Sequence, residues 1–200
     1  MINIKKKNQE FYSLWNQIDL PKKEKVLEYL KGSDYFVAPS STRFHSSFEG
    51  GLLVHSLNVV YYLLYLTDKL QLKWERPESP IIIGLLHDLC KTNFYNVEYK
   101  NAKNEKGEWI KVPYYTIKDL NPIGVHGDKS VMLIQKLGFK LTDEELYCIR
   151  FHMGAYEGKE VFSSLGEAKK KYPNILYTCL ADELATIWED EVGLWGLKNV

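Results

Sequence analysis

The chain has 200 residues, enough to bury one sizeable core, and its 45% hydrophobic and 26% charged residues are an ordinary globular balance. Its 26 Lys+Arg offset its 26 Asp+Glu, so no global positive field draws in long polyanions. A phosphorylated small molecule, a nucleotide or a short nucleic-acid end needs only a local cluster of charge. The three cysteines, Cys90, Cys148 and Cys179, lie outside any CxxC spacing and read as thiols of a reducing cytosol. No apolar segment follows the lysine-rich start, and the apolar stretch 52–66 is interrupted by His55, Ser56 and Asn58. The expectation is a cytoplasmic protein with no membrane partner.

Taken in chain order, residues 11–18 and 21–30 read as short amphipathic helices, the second with Pro21 near its first position. A serine-rich loop leads from Gly32 to His45, and Glu49-Gly50-Gly51 opens a long apolar-periodic helix over 51–70. Ser79-Pro80 supplies an N-cap and a first-turn proline for a buried helix over 81–91. From 96 to 117 the periodicity changes. Val97-Glu98-Tyr99-Lys100 and Trp109-Ile110-Lys111-Val112 alternate apolar and polar on either side of Lys106-Gly107, which predicts a β-hairpin. Helices resume at 126–137. Thr142 with Glu145 spells a capping box before 146–153, and Ser164 with Glu167 spells another before a lysine-rich helix. Pro173 opens a last helix running through Trp188. These elements predict a single domain over 1–200, all-α with one inserted hairpin at about 96–117. N-terminal helices occupy 1–40, a catalytic core 41–190, and the insertion 94–117.

The rare ionisable residues fall on apolar faces. His55 shares one with Leu52, Val59, Leu63 and Leu66. His87 follows Ile83 by four and Asp88 follows Gly84 by four; His152 follows Ile149 by three; His126 opens its helix between Gly124 and Gly127. Asp182 lies among Ile175, Cys179 and Thr186, with no lysine or arginine at i±3 or i±4. One histidine on an apolar face is ordinarily a hydrogen-bonded core residue. An inward carboxylate, in contrast, is costly without a cation. His55, His87, His152 and Asp182 together point at one interior, and a donor set of imidazole and carboxylate suits a divalent first-row metal.

The strings Glu49-Gly-Gly-Leu-Leu-Val-His55-Ser-Leu, Gly84-Leu-Leu-His87-Asp88-Leu-Cys-Lys91 and Leu180-Ala-Asp182-Glu-Leu-Ala, in that order, resemble the HD-domain superfamily of metal-dependent phosphohydrolases. The likeness extends over about residues 45–188. Gly124-Val-His126-Gly and Phe151-His152-Met-Gly154 are similar to the two further histidine slots in the HD domains of bacterial 3′→5′ exoribonucleases and cyclic-nucleotide phosphodiesterases. No Gly-Tyr-Pro follows the last histidine, which sets the cyclic-di-GMP subgroup aside.

The resemblance implies an HD-domain helical bundle holding one or two divalent ions, Mn, Fe, Mg, Ni or Zn. One ion would sit on His55, His87, Asp88 and Asp182. The second would sit on Asp88, His126 and His152, with Asp88 bridging. The implied reaction is hydrolysis of a phosphate mono- or diester, of a nucleotide or short nucleic-acid end, by metal-activated hydroxide. Asp88 and Lys91 are the implied catalytic residues, Lys91 stabilising charge on the phosphate; its other reading is a lysine facing a helix C-terminus. Substrate contacts fall to Arg43, His45 and Lys129: Arg43 as a bidentate phosphate grip, His45 as a hydrogen-bonding partner, and Lys129 either in the cleft or paired with Asp128. Neutral net charge favours a small nucleotide within this reading. Two alternatives remain: a di-iron oxygenase on nearly the same ligands, and a non-catalytic module that senses a nucleotide. Tyr95, Tyr99, Trp109, Tyr114 and Tyr115 make the hairpin a lid, a base-stacking surface or a dimer contact, and the sequence leaves that choice and the oligomeric state open.

Overall fold

A computed structural model describes residues 3–118 and 126–187. Along them run α1 (Ile4–Trp15), α2 (Lys23–Gly32), α3 (Gly51–Leu70), α4 (Ser79–Leu86), β1 (Tyr95–Lys103), β2 (Trp109–Ile117), α5 (His126–Lys136), α6 (Asp143–Arg150), α7 (Phe162–Lys171) and α8 (Asn174–Ile187), with short 3-10 turns at Leu89–Lys91, Gly154–Glu157 and Lys159–Val161. The fold is therefore a helical bundle with one antiparallel hairpin, whose register pairs Tyr95 with Ile117 and Lys103 with Trp109. No described helix is long and apolar enough to cross a membrane.

α3 is the axis. Every residue from Gly51 to Val60 is buried, because a helix apolar on all sides must be enclosed on all sides. α1, α4 and α8 pack along it, while α5 and α6 pack on each other. Phe11 and Trp15 of α1 stack at 5.6 Å between ring centroids and close one end of the core with Tyr35. The Tyr35 hydroxyl donates to the Leu85 carbonyl at 2.8 Å, tying the loop after α2 to the end of α4.

Two glycines set how closely this frame closes. A Cβ on Gly84 would lie 2.7 Å from the Val60 backbone nitrogen, so α3 and α4 touch backbone to backbone there. A Cβ on Gly51 would lie 1.9 Å from the Ser46 carbonyl oxygen, so the loop 39–49 is pressed onto the first turn of α3.

Several local expectations need correction. α1 begins at Ile4 rather than 11, capped by the Asn3 side chain, which accepts from the Lys6 amide at 3.0 Å; three consecutive lysines hide this turn from an apolar pattern. Pro21 precedes α2, which starts at Lys23 after Lys22 turns left-handed at φ 69°. Ser79 is the first helical residue of α4 rather than its cap, and its hydroxyl donates to Glu145 at 2.9 Å. The Thr142–Glu145 capping box is present, and Glu145 also pairs with Arg76. Ser164 lies inside α7, which begins at Phe162 with no side-chain cap, so the second capping box does not form. α6 ends at Arg150, short of 153. Gly124 and Trp188 lie outside the described residues.

The most consequential correction concerns the helix expected over 81–91. α4 stops at Leu86; Asp88 adopts φ −104°, ψ 22°, and a 3-10 turn carries Leu89 to Lys91. Adjacent side chains on a regular helix diverge by about 100° and cannot share a centre. His87 still has helical angles (φ −57°, ψ −37°), and the chain departs from the helix at Asp88, which lets the two side chains face one point.

Candidate metal centre

His55 comes from the second turn of α3, His87 and Asp88 from the break after α4, His152 from the turn after α6, and Asp182 from the middle of α8. Four chain segments thus converge on one spot, and His55, His87, Asp88 and His152 are buried there. His55 Nε2 stands 2.9 Å from Asp182 Oδ1 and 3.2 Å from His87 Nε2. His87 Nε2 is 3.3 Å from Asp88 Oδ2, and His152 Nε2 is 3.6 Å from Asp88 Oδ1.

The far side of each ring fixes its orientation. His87 Nδ1–H donates to the Gly84 carbonyl at 3.0 Å, and His152 Nδ1–H to the Ile149 carbonyl at 2.7 Å. Carbonyls only accept, so each ring turns its Nε2 lone pair inward, the arrangement in which a second partner orients a metal-binding imidazole. His87 and His55 bring their Nε2 atoms to 3.2 Å, close enough to share one cation or one proton. His152 Nε2 and Asp88 Oδ1 are buried with no hydrogen-bond partner. Such orphaned acceptors are expensive in a protein interior, and a divalent ion satisfies them together. Among the described residues, two groups bring their ligand atoms within 4.8 Å of one another: His55, His87 and Asp182, and His87, Asp88 and His152. The donor set fits a divalent cation, with His87 common to both groups.

Electrostatics agree with this geometry. Burial alone would depress the His87 imidazole, yet the Asp88 and Asp182 carboxylates outweigh it and raise the group to about 10. Burial lowers His55 despite Asp182 beside it. Burial would raise Asp88, but Lys91 and His87 hold its carboxyl well below the usual range. Asp182 is likewise held down, by hydrogen bonds from His55 and His87. With no ion in place, a proton on His87 neutralises part of the cluster.

Lys91 is buried with its ammonium 2.6 Å from Asp88 Oδ2 and 3.4 Å from the Ser40 hydroxyl, so it faces the cluster rather than a helix end. His126, at the start of α5, lies outside both groups, its Nδ1 3.5 Å from Cys90 Sγ. It still senses the site: burial lowers it while Asp88 opposes that shift. His45 holds its ring 4.9 Å from that of His55 between centroids, tilted by 39°, with Nε2 buried and unpartnered, and burial pushes it down to about 4. Arg43 is exposed, its guanidinium 5.2 Å from the Phe44 ring. Lys129 is near His126, whose protonation its charge opposes, and Asp128 pairs with Arg150 instead of with Lys129.

Three neighbours carry no signal at helical spacing. Ser40 receives Lys91, and Tyr95 donates to the Ser40 carbonyl at 3.1 Å; both meet the site only through the loop 39–49. Arg150 pairs with Asp128 of α5 and, at 2.5 Å, with Glu157, so one guanidinium ties the elements bearing His126 and His152. A Cβ on Gly127 would lie 2.1 Å from the Arg150 carbonyl, so α5 and α6 also close on backbone. Arg150→Gln is expected to lower turnover about 10–100-fold, the range for residues that orient metal ligands. Its loss of stability should be near 1 kcal/mol, since the pairs are only partly buried. Steady-state kinetics beside thermal unfolding separates the two effects.

The family model for the HD domain matches residues 52–187, a span that includes His55, His87, His126, His152 and both aspartates, Asp88 and Asp182. No curated protein and no solved structure matches the chain. On that match, and with His55, His87-Asp88 and Asp182 in the family's order, the chain belongs to the HD-domain family of metal-dependent phosphohydrolases.

Proposed function

We propose that the protein hydrolyses a phosphate mono- or diester of a nucleotide or a short nucleic-acid end. The observation that supports this most is the pair of overlapping groups, His55–His87–Asp182 and His87–Asp88–His152, with Lys91 beside them. In this reading His55, His87, Asp88 and Asp182 hold one divalent ion, and Asp88 and His152 contribute to a second, with His126 at its edge. Such ions supply Lewis acidity, polarising a phosphoryl oxygen and lowering the pKa of water.

The chain's own groups do the rest. The Asp88 carboxylate, with Oδ1 toward His152 and Oδ2 on Lys91, would hold the ions and the lysine together at the point where water attacks phosphorus. The Lys91 ammonium, fixed by Asp88 and Ser40, stays charged and neutralises the negative charge that grows on the phosphoryl oxygens. His45, neutral near pH 7, offers its free Nε2 to the substrate. Arg43 on the same loop and Lys129 on α5 steer phosphate from outside.

The test is turnover. Wild type is incubated with manganese, magnesium or iron and a panel of nucleotides, cyclic nucleotides, short oligonucleotides and bis-p-nitrophenyl phosphate, and products are separated chromatographically. Turnover names the bond cut; no turnover with any metal, in air or without it, removes the proposal.

Ion binding is also readable without substrate. An ion at a hundred times its Kd stabilises the fold by about 2.7 kcal/mol, so Tm should rise by roughly 5–10 °C. His55→Ala should lose most of that rise. The increment should shrink as pH falls, because the His87 imidazole, raised to about 10, must give up its proton to a competing ion. A Tm unmoved by every divalent ion would refute ion binding.

A further inference from the structure

The hairpin presents two chemically distinct faces. Its register places alternate residues from Tyr95 to Lys103 opposite alternate residues from Ile117 to Trp109, and these share one side of the ribbon. That side carries Tyr99, Trp109, Lys103 and Lys111 and no carboxylate. The acid within the strands, Glu98, is on the other side, hydrogen-bonded by Tyr114 and by Thr116 at 2.7 Å. The two aromatic rings on the carboxylate-free side are 65% and 70% exposed, Tyr99 and Trp109 respectively, so they do not serve the core. Lys103 holds its ammonium 5.2 Å from the Trp109 ring.

The same side leads to the metal centre. At its base Tyr95 donates to the Ser40 carbonyl, and the Ser40 hydroxyl receives Lys91, the partner of Asp88. Tyr115 beside it is buried. From this base, tied to Lys91 through Ser40, the nine residues of β1 extend about 26 Å at the rise of a strand. Flat rings interleaved with lysines suit a chain of bases and phosphates: rings stack on bases of any sequence and ammonium groups meet the backbone.

We infer that this face is a track for a single-stranded oligonucleotide, with Tyr99 and Trp109 as stacking platforms, Lys103 and Lys111 as phosphate contacts, and the strand's end delivered to the centre beside Lys91. The inference rests on the phosphohydrolase reading for what happens at that end, and narrows its substrate class. The neutral net charge does not oppose it, since the charge contrast is local to one face.

Binding is measured by fluorescence anisotropy with labelled oligonucleotides of one to eight nucleotides, in EDTA so that no turnover occurs. Affinity should rise with length up to several nucleotides. The double variant Tyr99→Ala/Trp109→Ala should bind the longer strands at least about tenfold more weakly. Both rings are largely exposed, so the variant should keep the wild-type Tm. Lys111→Ala should make the slope of log affinity against log salt shallower by about 0.7. Equal affinity for one nucleotide and eight, or no effect of the double variant, overturns the inference. So does a concentration-dependent dimer, seen by sedimentation, that the double variant abolishes, because the face would then belong to a second copy. Wild-type hydrolysis of bis-p-nitrophenyl phosphate tests the reaction separately. Hydrolysis without length-dependent binding overturns the track and spares the enzyme, whereas length-dependent binding without hydrolysis does the reverse.

Discussion

Asp88→Ala is expected to reduce hydrolysis on the order of a thousandfold, the scale for removal of a group in direct contact with the reacting atoms. Asp88 is the hub of the centre, with Lys91 at 2.6 Å, His87 at 3.3 Å, and His55 and His152 both at 3.6 Å. The substitution also strands Lys91. Its ammonium is buried, which would ordinarily lower its proton affinity, and Asp88 is the main opposing influence that keeps it charged. Removing one member of a buried pair costs about 3–5 kcal/mol where the survivor stays charged. Lys91 can release its proton, so the loss should fall at or below the lower end of that range. Asp88→Asn preserves volume and removes the charge. If activity and Tm both fall for Asn as for Ala, charge is the cause; if Asn retains wild-type turnover, Asp88 has no catalytic role. Activity with each metal, and thermal unfolding in EDTA, provide the two readouts.

Gly84→Ala is expected to destabilise the fold by about 1–3 kcal/mol, lowering Tm by roughly 3–10 °C, and to weaken metal binding with it. Two effects compete. Alanine favours a helix over glycine by about 1 kcal/mol. Against that, the new methyl would meet Val60 at 2.5 Å from Cγ2, 2.7 Å from N and 2.8 Å from Cα. A side chain can rotate away, but the backbone of a buried helix cannot, so overpacking wins. Relief must come from separating α3 and α4, which would pull His55 from His87. Gly166 in α7 is the control. Nothing lies within 4 Å of a Cβ there, so Gly166→Ala should stabilise by about 0.5–1 kcal/mol. Differential scanning calorimetry of both variants decides the matter: a Gly84→Ala protein as stable as wild type would show that α3 and α4 can part freely.

The helical class, the hairpin and the family were legible in the sequence because each has a local physical signature. Periodicity near 3.6 marked α3 over Gly51–Leu70, and alternation marked the outer ends of the hairpin, expected at 96 and 117 and found at Tyr95 and Ile117. The Thr142–Glu145 box announced α6 through hydrogen bonds spanning three residues. His55, His87-Asp88 and Asp182 stood out because inward polar groups on apolar faces require partners, and Asp182 had no lysine or arginine at i±3 or i±4.

What periodicity misled about was the end of α4. The stretch from Ile81 to Lys91 looks helical throughout, yet the chain leaves the helix at Asp88, where φ −104° and ψ 22° bring its carboxylate to the centre that His87 faces. The closeness of α3 to α4 at Gly84, of α5 to α6 at Gly127, and the tie of Arg150 to both Asp128 and Glu157 depend on atoms distant in sequence. The same holds for the route from Lys91 through Ser40 to Tyr95. By itself the sequence picked out polar residues on apolar faces; tertiary packing alone decided which of them come together, with His87 common to two groups and His126 outside both, because distances between segments are set by how closely backbones approach and not by any local pattern.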